Sequence, residues 1–294
     1  MLYFILTLII FASMEAVSKP LMGHIDPFAL TFWRFAAGFL FFLFYPGMKK
    51  RFKEIMHFNK KDWLAVISLG ILNTFLAMSI LQISVKHCSA ATSATIFCSN
   101  PVFVMLISSV LGLEKFSLRK SIGIFTGVGA VAFIMAEKGF IINSGALFAL
   151  SAAIVFAAYT VLSKSTVSKI DPFAVNLTSF FSGLTANFIF MSAADISFVP
   201  SAEFFNVSRT LAFLYLGFVV TGAGYVTFFE TIKRFTAVSS SIIFMLKPAL
   251  AVLFSAIFLN ETLSAHFFAG LLMLTAATAV IFSDRFPDII RKYK

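Results

Sequence analysis

The five residues Ile25-Asp26-Pro27-Phe28-Ala29 occur a second time in the chain, as Ile170-Asp171-Pro172-Phe173-Ala174, 145 positions later. Further identities keep this offset, and from Leu69 onward the offset becomes 147. The matched residues are Ala12 and Ala157, Ser18 and Ser163, Lys19 and Lys164, Gly38 and Gly183, Leu69-Gly70 and Leu216-Gly217, Lys86 and Lys233, Ile96-Phe97 and Ile243-Phe244, Pro101 and Pro248, Glu114 and Glu261, and Gly123 and Gly270. These ordered matches indicate that the chain arose by duplication of one half.

The composition places the chain in lipid. Hydrophobic residues make up 60% of the 294 positions and charged residues only 12%, whereas a soluble domain carries roughly 25% charged residues. The net charge of +10 comes from basic residues clustered between apolar runs, which favours membrane topology over nucleic-acid binding. The two cysteines, Cys88 and Cys98, form no disulfide framework or metal motif. No phosphate-binding loop of an ATP-driven pump occurs.

Ten apolar runs of roughly 20 residues follow one another along the chain, the length that a helix needs to cross a bilayer core about 30 Å thick. Each should be helical, because lipid offers no partner to unpaired backbone groups. We predict ten transmembrane helices, with nine and eleven as alternatives, and the least distinct boundary rests on Lys86 and His87. The first run lacks the positive region of a signal peptide, so we expect it to be retained. The runs lie at 2–21, 29–47, 64–84, 91–111, 120–138, 145–164, 173–193, 210–230, 238–258 and 265–283.

The basic residues outside these runs are distributed unequally between the two predicted sides. With ten spans, the side that carries both termini holds 17 Lys and Arg residues and the other side holds 4. Because cytoplasmic connectors carry the excess of positive charge, both termini and the 48–62 connector should be cytoplasmic.

Each half carries five predicted spans, an odd number, so the second half should enter the membrane from the opposite side. The predicted fold class is an all-α membrane protein with ten transmembrane helices, arranged as two inverted five-helix repeats, residues 1–140 and 141–294. Such repeats are typical of secondary transporters, since two similar halves can exchange conformations and open a central site to either side in turn.

Several short motifs resemble those of the drug/metabolite transporter superfamily, specifically the ten-helix EamA type with two EamA domains. The motifs are Arg34-Phe35, Asn100-Pro101, Leu111-Gly112-Leu113-Glu114, Lys247-Pro248 and Leu259-Asn260-Glu261, with Gly123 and Gly270 nine residues after each Glu. One departure is Ile10-Phe11-Ala12, where the family often has a Trp-Gly pair. The resemblance implies a transporter whose substrates are amino acids or related amphiphilic metabolites.

Three charged residues, Glu15, Arg34 and Lys247, lie inside predicted spans. A charge near the bilayer centre costs roughly 2.5–3.5 kcal/mol on insertion scales, so these side chains should face an internal cavity or one another. Glu15 and Arg34 lie on neighbouring helices at a similar predicted depth, and we predict that they form an ion pair. That pair would either hold two helices together or act as an outer gate or substrate-headgroup contact.

Lys247 and Asn100 are matched at the offset of 147, and each directly precedes a mid-span proline, Pro248 or Pro101. A proline frees a carbonyl one turn earlier and weakens the helix there, which predicts either a packing kink or a hinge beside the substrate site. We place Lys247 and Asn100 on the wall of a cavity, where the lysine could attract a carboxylate or release a proton.

Four further polar residues at mid-depth are predicted cavity residues: Asn73, Tyr159, Asn187 and Tyr225. Glu114 and Glu261 lie where predicted helices end, and a capping or connector role is favoured for both. Gly123, Gly127 and Gly129 form a small-residue face of the fifth span, which predicts close contact with another helix.

The sequence therefore favours a secondary transporter of small metabolites in the cytoplasmic (inner) membrane, working by alternating access as a monomer or homodimer. We expect a small-molecule substrate, the lipid bilayer and no nucleic acid as partners, with proton coupling left open. We expect no cofactor, no metal site and no enzymatic activity. A membrane scaffold or sensor is one alternative and would have a dry midplane; an intramembrane enzyme is another and would need a clustered acid–base or metal set.

Overall fold

Ten apolar helical segments dominate this computed structural model, which describes residues 2–44, 48–113, 118–136, 144–234 and 243–282. Within these ranges no β-strand occurs, which confirms the all-α part of the predicted fold class. In chain order, the segments are the first (Leu2–Leu21), second (Pro27–Leu43), third (Lys60–His87), fourth (Ala90–Val110), fifth (Leu118–Met135), sixth (Ser144–Val167), seventh (Pro172–Ala193), eighth (Val207–Lys233), ninth (Ile243–Leu259) and tenth (Ala265–Phe282).

Six of these segments are long and apolar enough to cross a membrane: the first, third, fourth, sixth, seventh and eighth. The other four contain shorter apolar helices, at Pro27–Leu43, Ser121–Ile134, Leu246–Leu259 and Ala265–Val280. Large apolar side chains cover the outer surface, including Phe125 and Leu272, as expected where lipid replaces water. The chain is thus a multi-pass membrane protein, whereas ten crossings and the opposite orientation of the halves remain predictions.

The connectors contain two short helical pieces, Met48–Met56 and the 3₁₀ turn Ala202–Phe204. The first of these links the two halves, because the Glu54 carboxylate accepts a hydrogen bond from the Asp171 amide at 2.9 Å. The predicted boundary between residues 140 and 141 lies outside the described residues, and so does Glu114.

The repeated Asp-Pro motif starts a helix in each half. Asp26 is the N-cap of the second segment, and its side chain accepts from the Phe28 amide at 2.8 Å. Asp171 caps the seventh segment in the same way, accepting from the Phe173 amide at 3.0 Å. An Asp cap satisfies an amide that the helix leaves unpaired, and the following proline suits the first helical position because it has no amide hydrogen. The motif recurs because both helices need the same start.

π-Helical turns interrupt the third and eighth segments at Ile71–Ala77 and Tyr215–Ala223. At the offset of 147, residues 71–77 correspond to 218–224, so the two interruptions overlap in the repeat. Such turns shift the side-chain register and are frequent at functional sites. The turn in the third segment contains Asn73, whose side chain accepts a hydrogen bond from Tyr225 of the eighth segment.

Glycines allow two close helix crossings at matched positions. Between the third and seventh segments, a Cβ on Gly183 would lie 2.4 Å from Thr74 Cβ, and one on Gly70 would lie 2.1 Å from the Ser179 carbonyl oxygen. Between the second and eighth segments, a Cβ on Gly38 would lie 2.7 Å from Thr221 Cγ2. Gly38 matches Gly183, and Thr221 matches Thr74. Small residues let membrane helices approach this closely, so each half uses the same device to pack on the other.

The predicted small-residue face of the fifth segment is borne out at Gly127, where a Cβ would lie 2.6 Å from Val102 Cγ2 of the fourth segment. Gly129 differs, since no atom lies within 4 Å of its Cβ position. The fifth segment also packs on the tenth, where a Cβ on Gly270 would meet Ile134 at 2.3 Å. Close contact therefore depends on individual glycines of this face.

A lysine binds the carboxyl end of a helix in each half. Lys19 Nζ donates to the Val85 carbonyl at 2.8 Å and the Cys88 carbonyl at 2.7 Å. Its repeat mate Lys164 donates to the Ile232 carbonyl at 2.9 Å, and Ile232 matches Val85 at the offset of 147. The last carbonyls of a helix have no partner within it, and a cation there both pairs with them and complements the helix dipole.

Candidate functional site

A cavity of about 20 Å³ lies where six segments meet. This is room for one or two water molecules. Its lining comes from the first, third, fourth, sixth, eighth and ninth segments and consists of Phe11, Met14, Met78, Phe97, Phe156, Val220, Tyr225, Phe244 and Lys247.

Six of the nine lining residues form three pairs of repeat mates. Phe11 matches Phe156 at the offset of 145, and the offset of 147 joins Phe97 with Phe244 and Met78 with Tyr225. Both halves therefore contribute equivalent residues to the same wall. These apolar residues were missed as site candidates, although the match of Ile96-Phe97 with Ile243-Phe244 carried the signal.

Aromatic rings hold this wall together. The rings of Phe97 and Phe156 lie 5.2 Å apart, Phe156 and Phe244 5.3 Å apart, and Phe11 and Tyr225 5.5 Å apart with their planes at 61°. Tilted and edge-on contacts at these distances are the favoured arrangements of aromatic pairs. The wall offers flat apolar surface to whatever enters the cavity.

Lys247 forms an ion pair with Glu15 at the edge of the cavity. Its Nζ lies 2.5 Å from Glu15 Oε1, and each of the two residues is 1% exposed. The ammonium also lies 5.1 Å from the centre of the Phe97 ring, a favourable cation–π distance. Removing either member of such a pair leaves a buried charge without its counter-charge, which is strongly destabilising.

The predicted ion pair between Glu15 and Arg34 is wrong, because Glu15 pairs with Lys247. The prediction rested on neighbouring helices in the sequence. In the structure the first segment breaks at Ser13, and its second piece, Met14–Ser18, packs against the fourth and ninth segments. The carboxylate is thereby turned toward the other half of the chain.

Arg34 is fully buried, and within the described residues none of its three guanidinium nitrogens has a hydrogen-bond partner. Its Cζ lies 4.9 Å from the centre of the Phe35 ring. The guanidinium is near enough to Glu15 and Tyr225 to interact with both electrostatically. Arg34 is close to Tyr225 but is not itself among the residues that line the cavity. We refer to Glu15, Arg34 and Lys247 as the charged trio.

Of the other predicted cavity residues, Tyr225 lines the cavity, whereas Asn73, Asn100, Tyr159 and Asn187 do not. Tyr225 lines the cavity, and its hydroxyl donates to Asn73 Oδ1 at 2.9 Å. Asn100 is buried behind the wall, where its Nδ2 donates to the Phe97 carbonyl at 3.1 Å. Tyr159 packs 5.3 Å from Phe156 but does not line the cavity. Asn187 lies elsewhere, with Nδ2 3.5 Å from the Phe28 carbonyl.

The two prolines occupy different places in their helices. Pro101 lies in the first turn of the helix Asn100–Val110, after the fourth segment has broken at Cys98 and Ser99. Pro248 lies inside the helix Ile243–Leu259. A proline fits the first turn without losing a hydrogen bond but removes one in the interior, so the same motif weakens the two helices in different ways. A hinge role stays a prediction for both.

Glu261 has the predicted capping role. Its carboxylate accepts hydrogen bonds from the Ala90 amide at 2.8 Å and the Ala91 amide at 3.1 Å, at the start of the fourth segment. A carboxylate there satisfies free amides and complements the positive end of the helix. Across the ranges that the structure describes, no group of His, Cys, Asp and Glu side chains is arranged to hold a metal ion.

Comparison with known proteins identifies the family. The model of the EamA-like transporter family matches the chain twice, over residues 1–136 and 143–283. A protein of Clostridium kluyveri named as an uncharacterized transporter is 27% identical over 293 residues, covering 96% of this chain and 93% of the relative. The transporter YoaV of Bacillus subtilis, also named uncharacterized, is 25% identical and covers 86% of this chain and 84% of the relative. A solved crystal structure that is 16% identical shares the fold, with a TM-score of 0.72 over 97% of both chains. Since the two matches of the family model together span most of its length, the chain belongs to the EamA-like transporter family.

Proposed function

We propose that the chain is a secondary transporter that moves small metabolites, amino acids or related amphiphilic compounds, across the cytoplasmic membrane by alternating access. The observation that carries this proposal is the central cavity, whose wall combines three pairs of repeat mates with the buried Lys247–Glu15 ion pair. A site built equally by two similar halves can be opened toward either side by the same movement.

In this proposal all ten segments cross the membrane, and residues 1–140 and 141–294 form two five-helix repeats of opposite orientation. The matched glycine crossings and the matched lysine contacts support it, because equivalent residues in the two halves make equivalent contacts. The excess of basic residues supports a cytoplasmic location of both termini.

In the described conformation the cavity is small. A volume of about 20 Å³ is far below the roughly 300–1,000 Å³ of sites that bind small molecules. Substrate must therefore bind in conformations where the segments have separated. The π-helical turns at Ile71–Ala77 and Tyr215–Ala223 are the places where we expect this movement, since the helices are already irregular there.

Within the site, we assign the Lys247–Glu15 pair to the gate and to substrate contact. A substrate carboxylate competes with Glu15 for the ammonium, so binding and release of the pair are coupled. The aromatic wall holds the apolar part of the substrate. Pro248 and Pro101 are proposed as hinges on the two matched helices.

A membrane scaffold or sensor is the second candidate, favoured by the small volume and mostly apolar lining of the cavity. An assay of uptake and efflux in proteoliposomes, with a panel of amino acids and amphiphilic carboxylates and with or without a pH gradient, separates the two. We expect saturable transport of at least one compound, lost in the double variant Glu15→Gln/Lys247→Met, which removes both charges together. Lys86→Met, at an exposed lysine, is the matched control and should transport normally.

Transport of nothing on the panel, by protein that elutes as a folded species, would favour the scaffold or sensor. Accumulation that requires the pH gradient would establish proton coupling. Equal rates with and without the gradient would indicate facilitated diffusion.

A further inference from the structure

Arg34 has no hydrogen-bonded counter-charge among the described residues, because the nearby Glu15 carboxylate pairs with Lys247. Its guanidinium is fully buried, and no described residue accepts a hydrogen bond from it. An arginine keeps its charge in any protein environment, and its five N–H donors favour a planar carboxylate. The stacking on Phe35 at 4.9 Å compensates only part of the lost hydration. An anionic ligand would supply the hydrogen-bond acceptors that the guanidinium lacks.

The net charge of the interior sets the sign and the size of the charge that a ligand should carry. Among the charged residues whose side chains the structure describes, the buried ones are those of the charged trio. Lys247 and Glu15 sum to zero, whether the shared proton resides on Nζ or on Oε1. Arg34 therefore leaves the interior with a net charge of +1. A ligand that carries a single negative charge neutralises it.

The ligand classes differ in how they meet this condition. A zwitterionic amino acid brings no net charge and leaves +1 in the interior, and an amine raises it to +2. A dianion overcompensates. Burying a net charge in a low-dielectric site is costly, so the monoanion is favoured over the other classes.

The wall specifies the rest of the ligand. Phe11, Phe97, Phe156 and Phe244 present ring surfaces to the cavity, with Tyr225 beside them. Such a lining stabilises a flat or bulky apolar group by burial and by ring contacts. A small hydrophilic anion gains neither.

We propose that the transport site selects organic monoanions, with Arg34 as the positioning charge for a single carboxylate and the aromatic wall as the site for an apolar or aromatic body. This rests on the proposed function and narrows its substrate class to amphiphilic carboxylates that lack an amino group. Arg34 does not line the small cavity of the described conformation, so it meets the ligand when the segments separate.

The test uses the full chain in detergent and four matched probes: 3-phenylpropanoate, phenylalanine, 2-phenylethylamine and acetate. Binding is measured by ligand-induced thermal stabilisation and by isothermal titration calorimetry. We expect 3-phenylpropanoate to bind at least about tenfold more tightly than the other three, the size of one hydrogen-bonded charge contact. Arg34→Met should abolish this preference, and Arg34→Lys should restore part of it. Arg209→Gln, at an arginine outside the cavity, is the control for overall charge and should bind like the parent.

The outcomes separate the substrate class from the proposed function. Phenylalanine binding as tightly as 3-phenylpropanoate, unchanged binding in Arg34→Met, or no binding of any probe would each overturn the inference. Transport of phenylalanine in preference to the acid would leave the proposed transporter intact and refute the monoanion. Selective binding of 3-phenylpropanoate without any transport would support the monoanion and refute the proposed transporter.

Discussion

The periphery and the centre of this molecule treat the repeat in opposite ways. At the periphery, matched residues make matched contacts: Asp26 and Asp171 cap helices, and Lys19 and Lys164 bind helix ends. At the centre, the repeat mates of Glu15, Arg34 and Lys247 are uncharged, namely Thr160, Ser179 and Asn100.

The three uncharged repeat mates form hydrogen bonds within their own segments. Thr160 donates to the Phe156 carbonyl, Ser179 to the Asn176 carbonyl and Asn100 to the Phe97 carbonyl, so each bonds to the backbone of its own segment. The duplicated scaffold thus needs two equivalent halves, whereas one charged set suffices for a site that the halves share. Helix packing therefore requires equivalent residues in both halves, whereas the charged residues are required at only one position of each repeat pair.

The largest effect should follow from breaking the Lys247–Glu15 pair. Glu15→Gln or Lys247→Met alone leaves a buried charge unpaired and should lower stability by about 3–5 kcal/mol. The double variant leaves neither charge of this pair without its partner and should recover most of the lost stability. Thermal unfolding followed by size-exclusion chromatography measures all three. Single changes that add up in the double variant would show that the two groups are not coupled.

Replacing Arg34 should change the stability in the opposite direction. Because the Arg34 guanidinium is buried and has no hydrogen-bond partner among the described residues, Arg34→Met removes a desolvation cost and should raise the stability of the ligand-free protein, by at most about 2.5 kcal/mol. The same thermal assay measures it, with Arg209→Met as the control that loses a surface charge. A clear loss of stability would mean that Arg34 already has a stabilising partner, and its place as the unpaired member of the charged trio would be wrong.

The glycine crossings should respond equally in the two halves. Gly183→Ala and Gly38→Ala introduce overlaps at matched positions, and overpacking of this kind costs about 1–3 kcal/mol. Gly129→Ala, where the added Cβ meets nothing, is the control and should be neutral. Loss at one crossing and none at its mate would limit the equivalence of the halves to the sequence.

The lysine contacts should give the smallest effect. Lys19→Met and Lys164→Met each remove hydrogen bonds to carbonyls at a helix end, worth about 0.5–1.5 kcal/mol. Their unfolding temperatures should fall by similar amounts, since the contacts are equivalent. Hydrogen exchange at the ends of the third and eighth segments would show whether the loss is local. No change in either variant would make these contacts incidental.

Much of the scaffold could be predicted because its signals are local. The apolar runs define helices, and the Asp-Pro motif defines two helix starts that the structure contains. The pairing of Glu15 with Lys247 could not, because 232 positions separate the residues and the break at Ser13 decides which way the carboxylate faces. The phenylalanines of the cavity wall were missed for another reason, although Lys247 and Tyr225 were predicted to line it. In a chain with 40 phenylalanines, a single aromatic residue carries little information until the repeat pairs it with a mate.

The proposal that one central site opens to both sides of the membrane is tested most directly by a cysteine at Val220, a buried residue of the cavity wall. Val220→Cys is made with Cys88→Ser and Cys98→Ser, so that it is the only thiol. An impermeant maleimide is then applied to proteoliposomes from either side, with the protein inserted in one known orientation. Alternating access predicts labelling from both sides, and substrate should slow both reactions. Labelling from one side only, or from neither while transport continues, would contradict a single site shared by the two halves.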